Sequence, residues 1–221
     1  MAVIVEWNKV NTVFLDMDGT LLDFEFDNYF WHEYVPLKYA QAKDLEFADA
    51  KQLLIEKYNH RRGTLSWYCT DYWTETLELN IATLKYEVAS RVKLFPKVKE
   101  FLNWLHGQDK QVVLLTNAHQ DSVDVKFSQT GLQSYFHRVI TSHQFGYAKE
   151  EQEFWPLLAN DHNHNPASTL LIDDNVHVLK AAQAYGIEHL LSVNQPDSSQ
   201  PQQDTAGFVG LDGFTDIVAE I

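Results

Sequence analysis

Two aspartates stand two residues apart in Asp16-Met17-Asp18-Gly19-Thr20, directly after the apolar run Thr12-Val13-Phe14-Leu15. In an extended chain residues i and i+2 point to the same side and lie roughly 7 Å apart. Both carboxylates can therefore face one small volume. Two carboxylates so close repel each other unless positive charge lies between them. A hard divalent cation answers that need, and Mg²⁺ takes a few carboxylates together with water and substrate oxygens. Gly19 lets the chain turn sharply after the pair. The alternative is a solvated Asp-x-Asp-Gly turn, a common string in loops.

Three further strings have the same placement after an apolar run. Thr116-Asn117 follows Gln111–Leu115, and a hydroxyl with backbone amides at a strand end forms a cradle for phosphate oxygens. A helix-capping Thr-Asn pair is the alternative there. Lys149 follows Arg138–Ile140 in Phe145-Gly146-Tyr147-Ala148-Lys149-Glu150. It offers a point charge for a bound phosphate and for Asp16, or else is an ordinary solvated lysine. Asp173-Asp174-Asn175 follows Thr169–Ile172, where an acidic pair either closes a metal site or caps the helix beginning near Val176. Taken singly these are weak signals. Together each sits at the carboxyl end of a different expected strand, so all four can converge on one crevice.

The elements that must position them follow from hydrophobic pattern. The four apolar runs and a fifth, His189–Val193, are near-continuous, as suits parallel strands covered on both faces. Helical spacing lies between them: Val98, Phe101, Leu102 and Leu105 after Pro96 and before Gly107, then Val178, Ala181, Ala182 and Tyr185 before Gly186. This alternation predicts a doubly wound α/β domain with a parallel sheet. From about Phe24 to about Leu94, roughly seventy residues show no buried strand, only aromatic-rich amphipathic pattern. A crossover between parallel strands needs only about a dozen residues. The expected organisation is a core of residues 1–23 and 95–221 with an inserted helical cap over 24–94. The stretch Asn194 to Gly207 reads as a surface loop before a short C-terminal element.

Composition narrows the class. The chain has 221 residues, 45% apolar and 22% charged, which is ordinary globular usage. With 17 basic and 31 acidic residues its net charge is −14. Such a surface repels nucleic acid and anionic membranes, so neither is an expected partner. An anionic substrate would need a local positive site. The single cysteine, Cys69, excludes an intramolecular disulfide, and no run approaches the length of a membrane span. The N-terminus carries no basic region followed by a leader-length apolar run. A cytoplasmic protein is expected.

In their order, Asp-Met-Asp-Gly-Thr, Thr116, Lys149 and Asp173-Asp174 resemble the four motifs of the haloacid dehalogenase superfamily, and the long insertion is similar to its first type of helical cap. The resemblance covers all but about the last twenty residues. It implies an aspartyl-phosphate mechanism with Asp16 as nucleophile and Asp18 as general acid and base. It further implies Mg²⁺ held by Asp16, the Asp18 carbonyl and Asp174, with Asp173 a weaker ligand. Thr116, Asn117 and Lys149 would bind phosphoryl oxygens. Dehalogenases of the superfamily need no metal and do not use the second acid, so Asp18 with Asp173-Asp174 favours phosphoryl transfer. The alternatives are a sugar-phosphate mutase of the same superfamily and, outside enzymes, an Asp-phosphorylated switch module.

Strings in the insertion are more specific. Phe26-Asp27-Asn28-Tyr29-Phe30-Trp31, Trp67-Tyr68-Cys69 and Asp71-Tyr72-Trp73, with Leu114-Leu115-Thr116-Asn117-Ala118-His119 and Phe145-Gly146-Tyr147, resemble the bacterial GMP/IMP 5′-nucleotidases of this superfamily. This implies a purine nucleoside 5′-monophosphate as substrate, with Asn28, Trp31, Arg61, Trp67 and Tyr72 as specificity candidates, since aromatic faces stack nucleobases. Most of the insertion's aromatics are expected to form its own core. Ala148 departs from the pattern, because a proline commonly precedes the motif lysine. His162 and His164 could bind a soft metal, but a polar loop is the plainer reading. His119 is expected either at the pocket or at a solvated helix start. No Gly-x-x-x-x-Gly-Lys or Gly-x-Gly-x-x-Gly string is present, so kinase and dinucleotide readings find no support.

Overall fold

The structure is a computed structural model that describes residues 5–218. Residues 1–4, where the leader argument begins, and 219–221, the end of the expected core, lie outside the described residues.

Six parallel strands form one sheet in the order β3-β2-β1-β4-β5-β6. They are β1 (Thr12–Leu15), β2 (Gln111–Thr116), β3 (Arg138–Thr141), β4 (Thr169–Asp173), β5 (His189–Val193) and β6 (Val209–Leu211). The order reverses at β1, the doubly wound arrangement in which ligands bind outside the carboxyl ends of the strands at the switch point. Five of the strands lie where the apolar runs predict. β6 is the addition: three residues containing Gly210, too short for a readable period.

The central strands β1 and β4 are buried throughout because both faces are covered. Val13, Leu15, Val112, Leu114, Leu170 and Ile172 face one cluster, closed by α7 (Val98–Gly107), α8 (Gln120–Thr130) and α11 (Phe214–Val218). Phe14, Val113, Leu115 and Leu171 alternate to the other, closed by α9 (Phe154–Asp161) and α10 (Val176–Tyr185). Gly186, at φ 114°, ends α10 as the sequence predicts. The start of α7 differs: Lys97 takes the left-handed conformation at φ 67°, so the helix begins at Val98 rather than Pro96, and Gly107 is its last residue.

Between β1 and α7 the regular elements are all helical: α1 (Glu25–Tyr29), a π-helical turn (Phe30–Tyr34), α2 (Val35–Lys43), α3 (Phe47–Asn59), α4 (Leu65–Tyr68), α5 (Thr70–Leu77), α6 (Ile81–Glu87) and a short 3₁₀ turn (Ala89–Arg91). They pack around their own core of Phe30, Val35, Leu54, Tyr58, Trp73, Leu77, Ile81 and Leu84. Trp73 is central. It meets Tyr58 edge-on at 5.1 Å between ring centroids and donates from Nε1 to the Trp67 carbonyl at 2.9 Å. No helix among the described residues is long and apolar enough to cross a membrane.

Truncating Trp73 removes an anchor that no neighbour can replace. Trp73→Ala is expected to lower unfolding free energy by about 3–5 kcal/mol, measured by urea denaturation. A loss of about 1 kcal/mol or less would mean that the insertion repacks freely.

Candidate active site

Strand register builds the first part of the site. Leu15 pairs with Leu114 on one side and Ile172 on the other, which sets Asp16 in one row with Leu115 and Asp173. Lys149 reaches this row from the segment after β3. Its Nζ donates to Asp16 Oδ1 at 2.6 Å, Asp173 Oδ2 at 2.7 Å and the Leu115 carbonyl at 3.0 Å. All three charged residues are buried. Burial pushes the Asp16 carboxyl up to about 6, against the pull of Lys149. Burial also works against the Lys149 ammonium, but Asp16 and Asp173 outweigh it and hold its pKa above the usual lysine value.

Lys149 is held from both flanks. Its amide donates to Asn117 Oδ1 at 2.9 Å, and its carbonyl accepts from Trp155 Nε1 at 3.0 Å. Glu150 accepts from Asn117 Nδ2, Asn175 Nδ2 and the Tyr68 hydroxyl, at 2.7, 2.9 and 2.8 Å. One carboxylate thus ties the ends of β2 and β4 to the insertion. Thr116 Oγ1 accepts from the Ala118 amide at 3.0 Å, which closes a tight turn after β2. Ala148, where a proline is common, uses its N–H: it donates to Glu151 Oε2 at 2.7 Å. A proline would lack that donor.

Asp18 lies in a second charge chain that sequence reading missed. Lys126 Nζ donates to Asp18 Oδ1 at 2.6 Å and to Asp27 Oδ2 at 2.7 Å, and Lys85 Nζ donates to Asp27 Oδ1 at 3.0 Å. Lys126 belongs to α8 of the core, Asp27 and Lys85 to α1 and α6 of the insertion. Burial raises the Asp27 carboxyl, but Lys126 and Lys85 outweigh it and hold the group down at about 2. Burial pushes Asp18 up to about 6, with Lys126 pulling the other way. A signal was present: Lys126 shares its helix face with Val123, Phe127 and Thr130, and Lys85 follows Ile81 and Leu84 on a buried stripe. A lysine in an apolar stripe needs a buried partner.

These groups line one cavity of about 380 Å³ between the sheet edge and the insertion. Asp16, Asp18, Thr116, Asn117, Lys149, Asp173 and Asp174 all face it, as do Asn28, Trp31 and Trp67. Arg61 and Tyr72 do not: Arg61 Nε donates to the Tyr72 hydroxyl at 2.7 Å, on the outer side of the insertion. His119 lies at the start of α8, bonded to Thr70 rather than facing the cavity. His162 and His164 pack on the Phe14 ring as part of the core edge.

The donor set fits a hard divalent cation. A carboxylate oxygen from each of Asp16, Asp173 and Asp174 lies within 4.8 Å of the others. Burial, with Asp173 and Asp16 as negative neighbours, pushes the Asp174 carboxyl well above its ordinary value. The cavity wall carries five aspartates against three lysines, a formal surplus, with every group ionised, of two negative charges that one divalent cation would balance. Glycine is required beside it: at φ 79°, a Cβ on Gly19 would lie 2.8 Å from Asp174 Oδ2.

Comparison with known proteins decides the family. Residues 10–186 match the model of the haloacid dehalogenase-like hydrolases. The chain is 36% identical over 221 residues to the GMP/IMP nucleotidase YrfG of Escherichia coli (strain K12), covering 100% of both, and equally to that of Shigella flexneri. The chain belongs to the haloacid dehalogenase-like hydrolases. Among solved structures it resembles a haloacid dehalogenase-type phosphatase from Thermococcus onnurineus (TM-score 0.79, 18% identity, 96% of this chain and 97% of that one). It also resembles a putative beta-phosphoglucomutase from Thermotoga maritima (TM-score 0.68, 21% identity, 96% and 98%). At such identities these likenesses show the fold, a parallel α/β sheet with surrounding helices.

For this hydrolase the buried chain Asp18–Lys126–Asp27–Lys85 sets a stability expectation. Lys126→Met leaves Asp18 without its cation and should cost about 3–5 kcal/mol. Lys85→Met leaves Asp27 still paired to Lys126 and should cost less. Guanidinium unfolding of the two variants measures the difference; equal losses would show that the two lysines are interchangeable.

Proposed function

We propose that this hydrolase is a cytoplasmic, magnesium-dependent phosphomonoesterase that cleaves purine nucleoside 5′-monophosphates through a phosphorylated Asp16. The observation that carries the reaction type is the convergence of Asp16, Asp18 and Lys149 on a cavity whose wall has two surplus negative charges. A phosphate dianion can enter such a wall only with a cation to offset it. Mg²⁺, held by Asp16, Asp174 and the Asp18 backbone carbonyl with Asp173 as a weaker ligand, would supply that charge and polarise a phosphoryl oxygen.

The chain's own residues account for the remainder. An Asp16 carboxylate oxygen attacks phosphorus as the bond from phosphorus to the ester oxygen breaks. Asp18 gives its proton to the departing oxygen. In the second half Asp18 takes a proton from water, whose oxygen attacks phosphorus; the Asp16–phosphorus bond breaks and inorganic phosphate leaves. Thr116, the Asn117 segment and Lys149 hold the equatorial oxygens, and Lys149 balances charge as Asp16 exchanges its carboxylate for an ester. We read residues 24–94 as a cap over a core of 1–23 and 95–221. In its closed position the cap keeps bulk water from the ester.

The substrate class rests on two supports. The likeness to the GMP/IMP nucleotidases runs the full length of both chains, insertion included. The cavity also joins the aromatic faces of Trp31 and Trp67 to the amide of Asn28, and its size is that of small-ligand pockets. A flat heterocycle with polar edges suits such a wall.

Phosphate release from GMP, IMP, AMP, UMP and hexose phosphates tests the proposal. Release is expected to be fastest with GMP and IMP, to stop with EDTA, and to fall by about 10³-fold or more in Asp16→Asn. Metal-dependent release led by another ester would sink the purine assignment and keep the mechanism. An isomerised ester in place of inorganic phosphate would identify a mutase.

A further inference from the structure

A second group of ligand-type side chains lies away from the acidic cluster, at the seam between insertion and core. Cys69 precedes α5 in the insertion, His119 precedes α8, and His143 lies in the turn after β3. One donor atom from each lies within 4.8 Å of the other two, and all three residues are half-buried. Sulfur and two imidazole nitrogens are a borderline-soft set. It matches Zn²⁺ and not Mg²⁺, which takes oxygen ligands.

The environment of His143 is the independent observation. Its Nε2 is buried and has no hydrogen-bond partner among the described residues, while the Asn117 backbone hydrogen-bonds the ring. One imidazole nitrogen anchored to backbone with the other left free is how metal-binding histidines are oriented. On His119, Nδ1 meets the Thr70 hydroxyl at 2.7 Å and Asp121 at 3.4 Å, while Nε2 lies 3.6 Å from the exposed Asp71 carboxylate.

We propose that Cys69, His119 and His143 form a zinc site, separate from the Asp16–Asp173–Asp174 site, that fastens the insertion to the core. Cys69 comes from the insertion, and His119 lies two residues after Asn117. Zinc there would join the insertion to the loop that positions Lys149.

Co²⁺ and Zn²⁺ titration of the purified full chain, with Mg²⁺ in excess, reads the site without reference to catalysis. One equivalent of Co²⁺ should give tetrahedral bands and a thiolate-to-cobalt charge-transfer band, both displaced by Zn²⁺. Cys69→Ser should abolish the charge-transfer band, and His143→Gln should weaken binding roughly tenfold or more. Asp16→Asn should retain both signals. Circular dichroism of each variant separates lost ligation from lost folding. Absence of the thiolate band in the native chain overturns the proposal, as does its survival in folded Cys69→Ser or its loss in folded Asp16→Asn.

Discussion

The structure depends on a row of like charges kept together by one buried lysine. Parallel register fixes Asp16 beside Asp173, at a spacing where two carboxylates would repel by several kcal/mol in a poorly solvated site. Lys149 stands between them and also satisfies the Leu115 carbonyl, so one ammonium holds the carboxyl ends of β1, β2 and β4 together. The groups that fix Lys149 are then structural necessities. Asn117 and Trp155 hold its backbone, while Glu150 gathers the loops on either side.

The same constraint explains the insertion. Asp18 points away from Lys149 and needs its own cation, which is Lys126 from α8. Lys126 has capacity left for Asp27, and Asp27 for Lys85, so the balance of charge at the sheet edge is completed by residues of the insertion. Because these groups are buried, opening the insertion away from the core would expose ions that now satisfy one another. Movement of the insertion and the state of Asp18 are therefore linked by electrostatics. The formal surplus of two negative charges that remains is one that a single divalent cation would balance.

Hydrophobic pattern carried much of the fold. Thr12–Leu15 and His189–Val193 occupy the strands their apolar runs predict, because a strand covered on both faces is read from a near-continuous run of apolar residues. Failures occurred where local sequence carries little information. Lys97 accepts a left-handed conformation that its side chain does not advertise, and β6 is recruited by its neighbour β5 rather than by its own pattern. Arg61 and Tyr72, read as pocket residues from their chemistry, satisfy each other outside it.

What the sequence determined by itself was the set of strand-end residues: Asp16, Asp18, Thr116, Asn117, Lys149, Asp173 and Asp174. All but Lys149 follow an apolar run whose burial forces its polar successors to the same edge of the sheet, and Lys149 comes from the loop that follows β3. Only the tertiary structure decided which charges pair. Lys126 and Lys85 are 41 residues apart in sequence and share Asp27. Cys69, His119 and His143 meet only because the insertion folds back over the loops after β2 and β3. Pairing of this kind depends on which helix faces are pressed together after the core has formed. A pattern along one chain encodes the direction of each face, but not the identity of the side chain it will meet.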